Sequence, residues 1–168
     1  KKVESYLSKQ SPEVVLFNGH GDDNLVTGNK DEVLIKAGEN DGLLKSKIIY
    51  ALSCRSAKIL GSESIKKGAL NYTGYIDDFI FMYEPNLFTR PNLDKTAELF
   101  LSPSNVFMES LIKGNNVKES FERSRKAIIK SFNKSTSTSE SDSTIARFLW
   151  WNLRNFSSQG DMNVSIQD

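Results

Sequence analysis

The sequence predicts an α/β fold built on a mainly parallel sheet, and two observations carry that prediction. Val14-Val15-Leu16-Phe17 and Ile48-Ile49-Tyr50-Ala51-Leu52 are short, unbroken apolar runs, the pattern of strands buried on both faces. After the second run the spacing turns helical and then β-like again, which is the strand–helix–strand unit that joins parallel strands.

Taken in order, residues 3–10 read as a helix closed by Pro12, and 14–17 as the first buried strand. Leu25-Val26-Thr27 and Val33-Leu34-Ile35 flank the Gly28-Asn29 turn signal and read as a hairpin. A loop at 38–42 and a short helical turn at 43–47 precede the second buried strand at 47–52. Ala57, Leu60, Ser64 and Ile65 then recur at helical spacing. They predict a helix that opens near Ser53 or Cys54 and stops before Gly68. β-type runs at 69–72 and 76–82 lie on either side of Gly74. The C-terminal half is mostly helical. Val117, Phe121, Arg125, Ile128 and Phe132 share one stripe, and Ile145, Phe148, Leu149, Asn152 and Phe156 another. The Ser/Thr-rich stretch 134–144 between them predicts a flexible surface loop.

Composition removes several function classes. At 168 residues the chain suits one compact domain, 1–168, with a substantial core. The 22 basic and 21 acidic residues nearly cancel and no basic block stands out, so no nucleic-acid surface is expected. The apolar runs fall far short of the roughly 18 residues of a membrane span, so no membrane partner is expected. The opening Lys1-Lys2-Val3-Glu4 is not an apolar leader, and a single cysteine cannot form an internal disulfide. Both predict a cytoplasmic protein. One His and one Cys are too few for a structural zinc site, and the segment from Asp22 to Gly28 lacks calcium-loop spacing. No metal or organic cofactor is expected. Gly19-His20-Gly21 lacks the third glycine of a dinucleotide turn, since position 24 is Asn24. No G-x-S-x-G elbow is present.

The chemistry concentrates on the lone His20 and the lone Cys54, each just past one of the two apolar strands. A cysteine attacks as its thiolate. A helix opening at Cys54, with Arg55 and Lys58 nearby, would favour that anion. His20 is placed to protonate a leaving amine. Gly21, with no side chain, offers an N–H that with that of Cys54 forms an oxyanion hole. Taken singly, such a cysteine is more often a small buried hydrophobe and such a histidine a loop residue; the pairing is what points to a cysteine peptidase.

In that order, a strand ending in His20-Gly21 and then a strand ending in Ser53-Cys54 resemble the caspase-like (clan CD) cysteine peptidases. The continuation resembles the CHAT-domain and separase branch. Gly68-Ala69-Leu70-Asn71-Tyr72-Thr73-Gly74-Tyr75 is similar to its "GA…GY" strand. Leu111-Ile112-Lys113-Gly114-Asn115-Asn116-Val117-Lys118-Glu119 is similar to its "L-x-x-G-x-x-V-x-E" helix-turn, and Gly160-Asp161 to its closing "GD". Ser53-Cys54-Arg55-Ser56 departs from the caspase motif, and His20 precedes Cys54 by only 34 positions against roughly 50 in caspases. Aspartate specificity is therefore not expected.

The resemblance implies a three-layer α-β-α sandwich whose N-terminal strands would precede this segment, making 1–168 the C-terminal part of a caspase-like domain. It implies a protein or peptide substrate cleaved after Arg or Lys, and regulation by other domains of a larger protein. Relatives carry an acidic specificity residue after the "GA…G" strand, which assigns substrate binding to Asp77 and Asp78. Asp22 and Asp23, beside His20, stand in reserve. The competing reading is a catalytically silent caspase-like scaffold that binds partners. Adjacent Trp150 and Trp151 cannot both face one core, so one of them marks either a half-buried edge or a contact with another domain.

Overall fold

The computed structural model describes residues 2–137 and 143–166. Among these are five α-helices, a mostly parallel four-stranded sheet and a small antiparallel three-stranded sheet. The chain divides into two units, one holding the residues up to Phe79 together with those from Asn155 onward, the other Ile80–Arg154.

The first unit opens with α1 (Lys2–Gln10) and β1 (Val14–Asn18). Three short strands follow: β2 (His20–Gly21), β3 (Leu25–Thr27) and β4 (Val33–Lys36), paired antiparallel in the order β2-β3-β4. The hairpin read from the sequence is β3–β4; the short His20–Gly21 strand extends it by one. β5 (Ile48–Leu52), α2 (Leu60–Lys66) and β6 (Asn71–Tyr75) make the strand–helix–strand unit. β7 (Phe156–Gly160) closes the sheet in the order β1-β5-β6-β7, with β7 antiparallel to β6. The two apolar runs lie side by side, parallel, from Val14 opposite Ile48 to Asn18 opposite Leu52. Val15, Phe17, Ile49, Ala51, Leu60 and Tyr72 sit in one buried cluster with Val26, Ile35 and Leu44.

Three expectations need correction here. The helix after β5 opens at Leu60, not at Ser53 or Cys54; residues 53–59 are turns. The runs at 69–72 and 76–82 are not two strands around Gly74. One strand, Asn71–Tyr75, includes Gly74, and 76–82 is irregular. Gly74 stays inside the strand because it lets β5 approach: a Cβ there would lie 2.9 Å from Ala51 O. Phe156, read as the end of a helical stripe, begins β7 instead. Few apolar residues mark that strand. Asn71, Thr73 and Ser158 hold its pairing side by side through hydrogen bonds of 2.8–3.2 Å.

The second unit contains α3 (Lys95–Ile112), α4 (Val117–Thr136) and most of α5 (Ser143–Asn155). The stretch expected as a loop from 134 to 144 is helical at both ends, through Thr136 and from Ser143; residues 138–142 lie outside the described ones. α3 contains Pro103, which removes one helical N–H. The carbonyl of Pro103 accepts a 2.8 Å hydrogen bond from Ser124 Oγ of α4. α4 buries Val117, Ser120, Ser124, Ile128 and Ser135, a face of small side chains. It opens with a capping box: Glu119 N–H donates to Asn116 Oδ1 at 2.9 Å, and Asn116 N–H to Glu119 Oε2 at 3.4 Å.

Replacing the cap, Asn116→Ala, is expected to lower stability by about 1 kcal/mol, read as a lower denaturant midpoint with an unchanged slope. An unchanged midpoint would show that α4 is held by tertiary packing alone.

Candidate active site

The pairing of β1 on β5 fixes where His20 and Cys54 lie. Asn18 and Leu52 are register partners at the ends of the two strands. His20 and Cys54 each follow two residues later, at the same edge of the sheet. The bond from Gly19 N–H to Leu52 O (3.3 Å) carries the pairing one step further. Gly21 then lies against the cysteine segment, where a Cβ would stand 2.8 Å from Cys54 O and 3.0 Å from Ser53 Cβ. Only glycine fits that approach.

A second set of bonds locks the tip of the β2–β3 turn to the loop after Cys54. Asp23 O accepts Ile59 N–H (3.1 Å) and Leu60 N–H (2.9 Å), capping the start of α2. Asp23 Oδ2 pairs with Lys58 Nζ at 2.7 Å. On the other side, Tyr75 O accepts Ala57 N–H (3.0 Å) and Asp77 O accepts Arg55 N–H (3.1 Å). Ser53 and Ser56 hydroxyls share a buried hydrogen bond of 2.7 Å. The cysteine loop is therefore held between the segment that carries His20 and the segment that follows β6. Arg55, the residue after the cysteine, has φ 55°, a left-handed backbone that is strained for a non-glycine residue and is found at tightly determined sites.

Two N–H groups bear on the expected oxyanion hole. Asp22 N–H donates to Leu25 O (3.1 Å), closing the β2–β3 turn. By the alternation of an antiparallel ladder, Gly21 opposite Val26 is then a non-bonded pair, with its N–H directed away from β3. Among the described residues nothing accepts Cys54 N–H. His20 is exposed, and among the described residues its imidazole makes no hydrogen bond or ion pair.

The cysteine itself differs from expectation. The helix N-terminus is six residues further on, so it supplies no stabilisation to the sulfur. Cys54 is half-buried, and its Sγ lies 3.8 Å from Phe79 O, the thiol donating. Burial, the largest influence, pushes the thiol pKa up and Asp78 pushes it the same way, against the Phe79 backbone bond and the pull of Arg55. The balance favours the neutral thiol over the thiolate.

The four carboxylates considered for substrate binding are unevenly committed. Asp22 Oδ1 accepts Asn24 N–H (2.7 Å) and Leu25 N–H (3.0 Å), a turn-forming role. Asp77 Oδ1 accepts Asp78 N–H at 2.8 Å. Asp78 pairs with Arg55 Nε at 3.1 Å, and Arg55 Nε also lies 3.9 Å from Asp23. Asp23 and Asp78 thus flank Arg55, next to the cysteine, and Asp77 holds it through its main-chain carbonyl, while Asp22 builds the turn. Sequence reasoning counted Arg55 and Lys58 as help for the thiolate. It missed that both are shared with carboxylates, and it missed the Phe79 carbonyl. Among the described residues no group of three or more His, Cys, Asp or Glu is arranged to hold a metal, and no helix is long and apolar enough to cross a membrane.

Three outcomes follow from this geometry. The rate of Cys54 alkylation by iodoacetamide, followed against pH, should rise with a midpoint above the roughly 8.5 of a free cysteine. Asp78→Asn removes a charge that disfavours the thiolate, so it should move the midpoint down and speed alkylation at pH 7. A midpoint below that of free cysteine would contradict the buried thiol. Gly21→Ala forces backbone against backbone and should cost about 1–3 kcal/mol of stability while changing the Cys54 alkylation rate; an unaffected rate would separate the two segments.

No family model matches the chain, and neither does any curated protein or solved structure, so the chemistry is argued from these residues and their geometry alone.

Proposed function

We propose that this chain is a cysteine endopeptidase of the caspase-like kind, closest in plan to the CHAT-domain and separase branch, with a three-layer α-β-α arrangement around its parallel sheet. The observation that carries the reading is the register of β1 on β5, which sets His20 and Cys54 at equivalent positions beyond two adjacent parallel strands. Topological edges of this kind are where open α/β sheets gather their chemistry.

In the proposed reaction Cys54 Sγ passes its proton to His20 and, as thiolate, attacks the carbonyl carbon of the scissile peptide bond. The N–H groups of Gly21 and Cys54 receive the charge that develops on oxygen. The C–N bond breaks as His20 delivers a proton to the departing amine, leaving a thioester on Cys54. Water attacks the thioester, releases the new carboxyl terminus and restores the thiol. The raised thiol pKa makes deprotonation part of the reaction cycle rather than a property of the resting site. Asp78, Asp77 and Asp23 give the vicinity of Cys54 an excess of negative charge over Arg55 and Lys58, which favours a P1 Arg or Lys. A basic P1 group would exchange with Arg55 for these carboxylates, since a buried cation needs a paired anion. Other domains of a larger protein are the proposed regulators, and a reducing, cytoplasmic setting suits a lone thiol.

The raised thiol pKa and the engagement of Asp78 by Arg55 are also what a catalytically silent, partner-binding copy of the fold would show, and one experiment separates the two. The 168-residue chain is treated with an Arg-based and an Asp-based acyloxymethyl ketone, alongside Cys54→Ala and His20→Ala. Labelling by the Arg probe, lost in Cys54→Ala, is expected. His20→Ala should lower turnover of an Arg-containing peptide by about 10²–10⁴-fold. Labelling by the Asp probe alone would keep the peptidase and remove the basic P1 preference. Labelling by neither would favour the silent scaffold.

A further inference from the structure

The peptidase reading makes no use of the two tryptophans or of the helical unit that carries them. α4 and α5 together hold eight basic residues and two acidic ones among those described, in a chain whose charges as a whole nearly cancel. Between these helices runs a groove of about 600 Å³ with an apolar floor of Ile129, Phe132, Trp150 and Leu153 and with Arg125 and Arg154 along it. Ile129 is 41% exposed and Trp150 57% exposed. Phe132 and Trp150 rings lie 6.3 Å apart.

The groove exists because of how α4 packs. Its buried face is Val117, Ser120, Ser124 and Ile128, small enough for a close approach to α3, with Ser124 bonded to Pro103 O. Its larger apolar side chains are left on the adjoining face. Arg125 is fixed there: it donates to Leu153 O at 3.1 Å and lies 5.8 Å from the Phe121 ring. Arg154 is exposed, and among the described residues it makes no ion pair.

We propose that this groove docks an acidic amphipathic helix of a partner protein. The geometry favours a helix because the lining residues form two stripes, Arg125, Ile129 and Phe132 on α4 and Trp150, Leu153 and Arg154 on α5. Each runs at helical spacing, and together they leave a trough that fits a third rod. The charge selects the partner: apolar side chains fill the floor while carboxylates meet the basic surround, which sets partner choice and encounter rate. This docking does not depend on the Cys54 chemistry.

Both tryptophans of the chain lie in α5, so intrinsic fluorescence reports on the groove directly. The probe is a synthetic peptide of about 14 residues, four helical turns, with Leu at helix-face spacing and Glu elsewhere. A control peptide carries Lys in place of Glu, and vesicles of phosphatidylserine and phosphatidylcholine form a third arm. A saturable blue shift with the Glu peptide and none with the Lys peptide is expected. Arg154→Glu, on an exposed position, should weaken the Glu peptide by about tenfold, and Ile129→Asp should abolish the shift, with circular dichroism confirming that both variants fold. Equal responses to the two peptides, no response to either, or a response to vesicles alone would overturn the proposal; the last would identify a lipid surface instead.

Discussion

Everything at the candidate site hangs on one parallel pairing. β1 and β5 are matched from Val14–Ile48 to Asn18–Leu52, and the match is enforced by burial on alternating residues. A slip of one residue would turn Val15 and Phe17 out of the core and bring Leu16 and Asn18 in. The same slip would move His20 relative to Cys54 and bring a residue with a Cβ to the place where Gly21 rests against the cysteine segment. The hydrophobic pattern of two short strands thus also sets the geometry of the chemical groups beyond them. The hairpin tip adds a second constraint, because Asp23 O caps α2 and its carboxylate holds Lys58. Folding the core and assembling the site are one event.

The electrostatics show what this scaffold does to its own cysteine. Burial, the Phe79 backbone, Asp78 and Arg55 all act on the sulfur, and burial is the largest influence. A half-buried sulfur near a carboxylate prefers its proton. Arg55 is adjacent in sequence, yet its guanidinium is turned to Asp78 and Asp23, so much of its field is cancelled before it reaches the thiol. The loop that presents the cysteine is therefore stitched by the same ion pairs that keep the cysteine quiet. Position and reactivity are set by different groups, and a change at Asp78 alters the second with little effect on the backbone bonds that fix the first.

How much of this the sequence revealed follows from which interactions are local. The apolar runs at β1 and β5, the β3–β4 hairpin around Gly28-Asn29 and the helical stripe of α4 were legible because each signal lies within one element. The start of α2 was not. Nothing in residues 53–59 forbids a helix, and what prevents one is nonlocal: Ala57 and Arg55 N–H groups are taken by Tyr75 and Asp77 carbonyls, and the cap comes from Asp23. β7 was equally hidden, because Phe156-Ser157-Ser158-Gln159-Gly160 has no strand-like alternation and is held by Asn71, Thr73 and a contact from the Gln159 side chain to Ala57 O. His20, Gly21 and Cys54 were singled out from their positions after strands, and the structure brings their segments together. The distinct duties of Asp22, Asp23, Asp77 and Asp78 depend on whether each carboxylate meets a backbone N–H or a cation, and no single-chain pattern encodes that.

The stripe on α4 shows why periodicity reports that a face is apolar without saying what it faces. Val117, Phe121, Arg125, Ile128 and Phe132 read as one core-directed ridge. In the fold, only Val117 and Ile128 of that set are fully buried, and serines complete the packed face. A buried serine on a helix is tolerable when its hydroxyl finds a carbonyl, as Ser124 does at Pro103, and its small volume draws the helices together. The bulky residues are then displaced to the flank, where they have surface to offer rather than core to fill. A chain that places serines in its helical interface and aromatics beside it spends less hydrophobic burial on α4 than its composition allows. The apolar flank that results lies within a strongly basic pair of helices, so charge and hydrophobicity coincide on one surface.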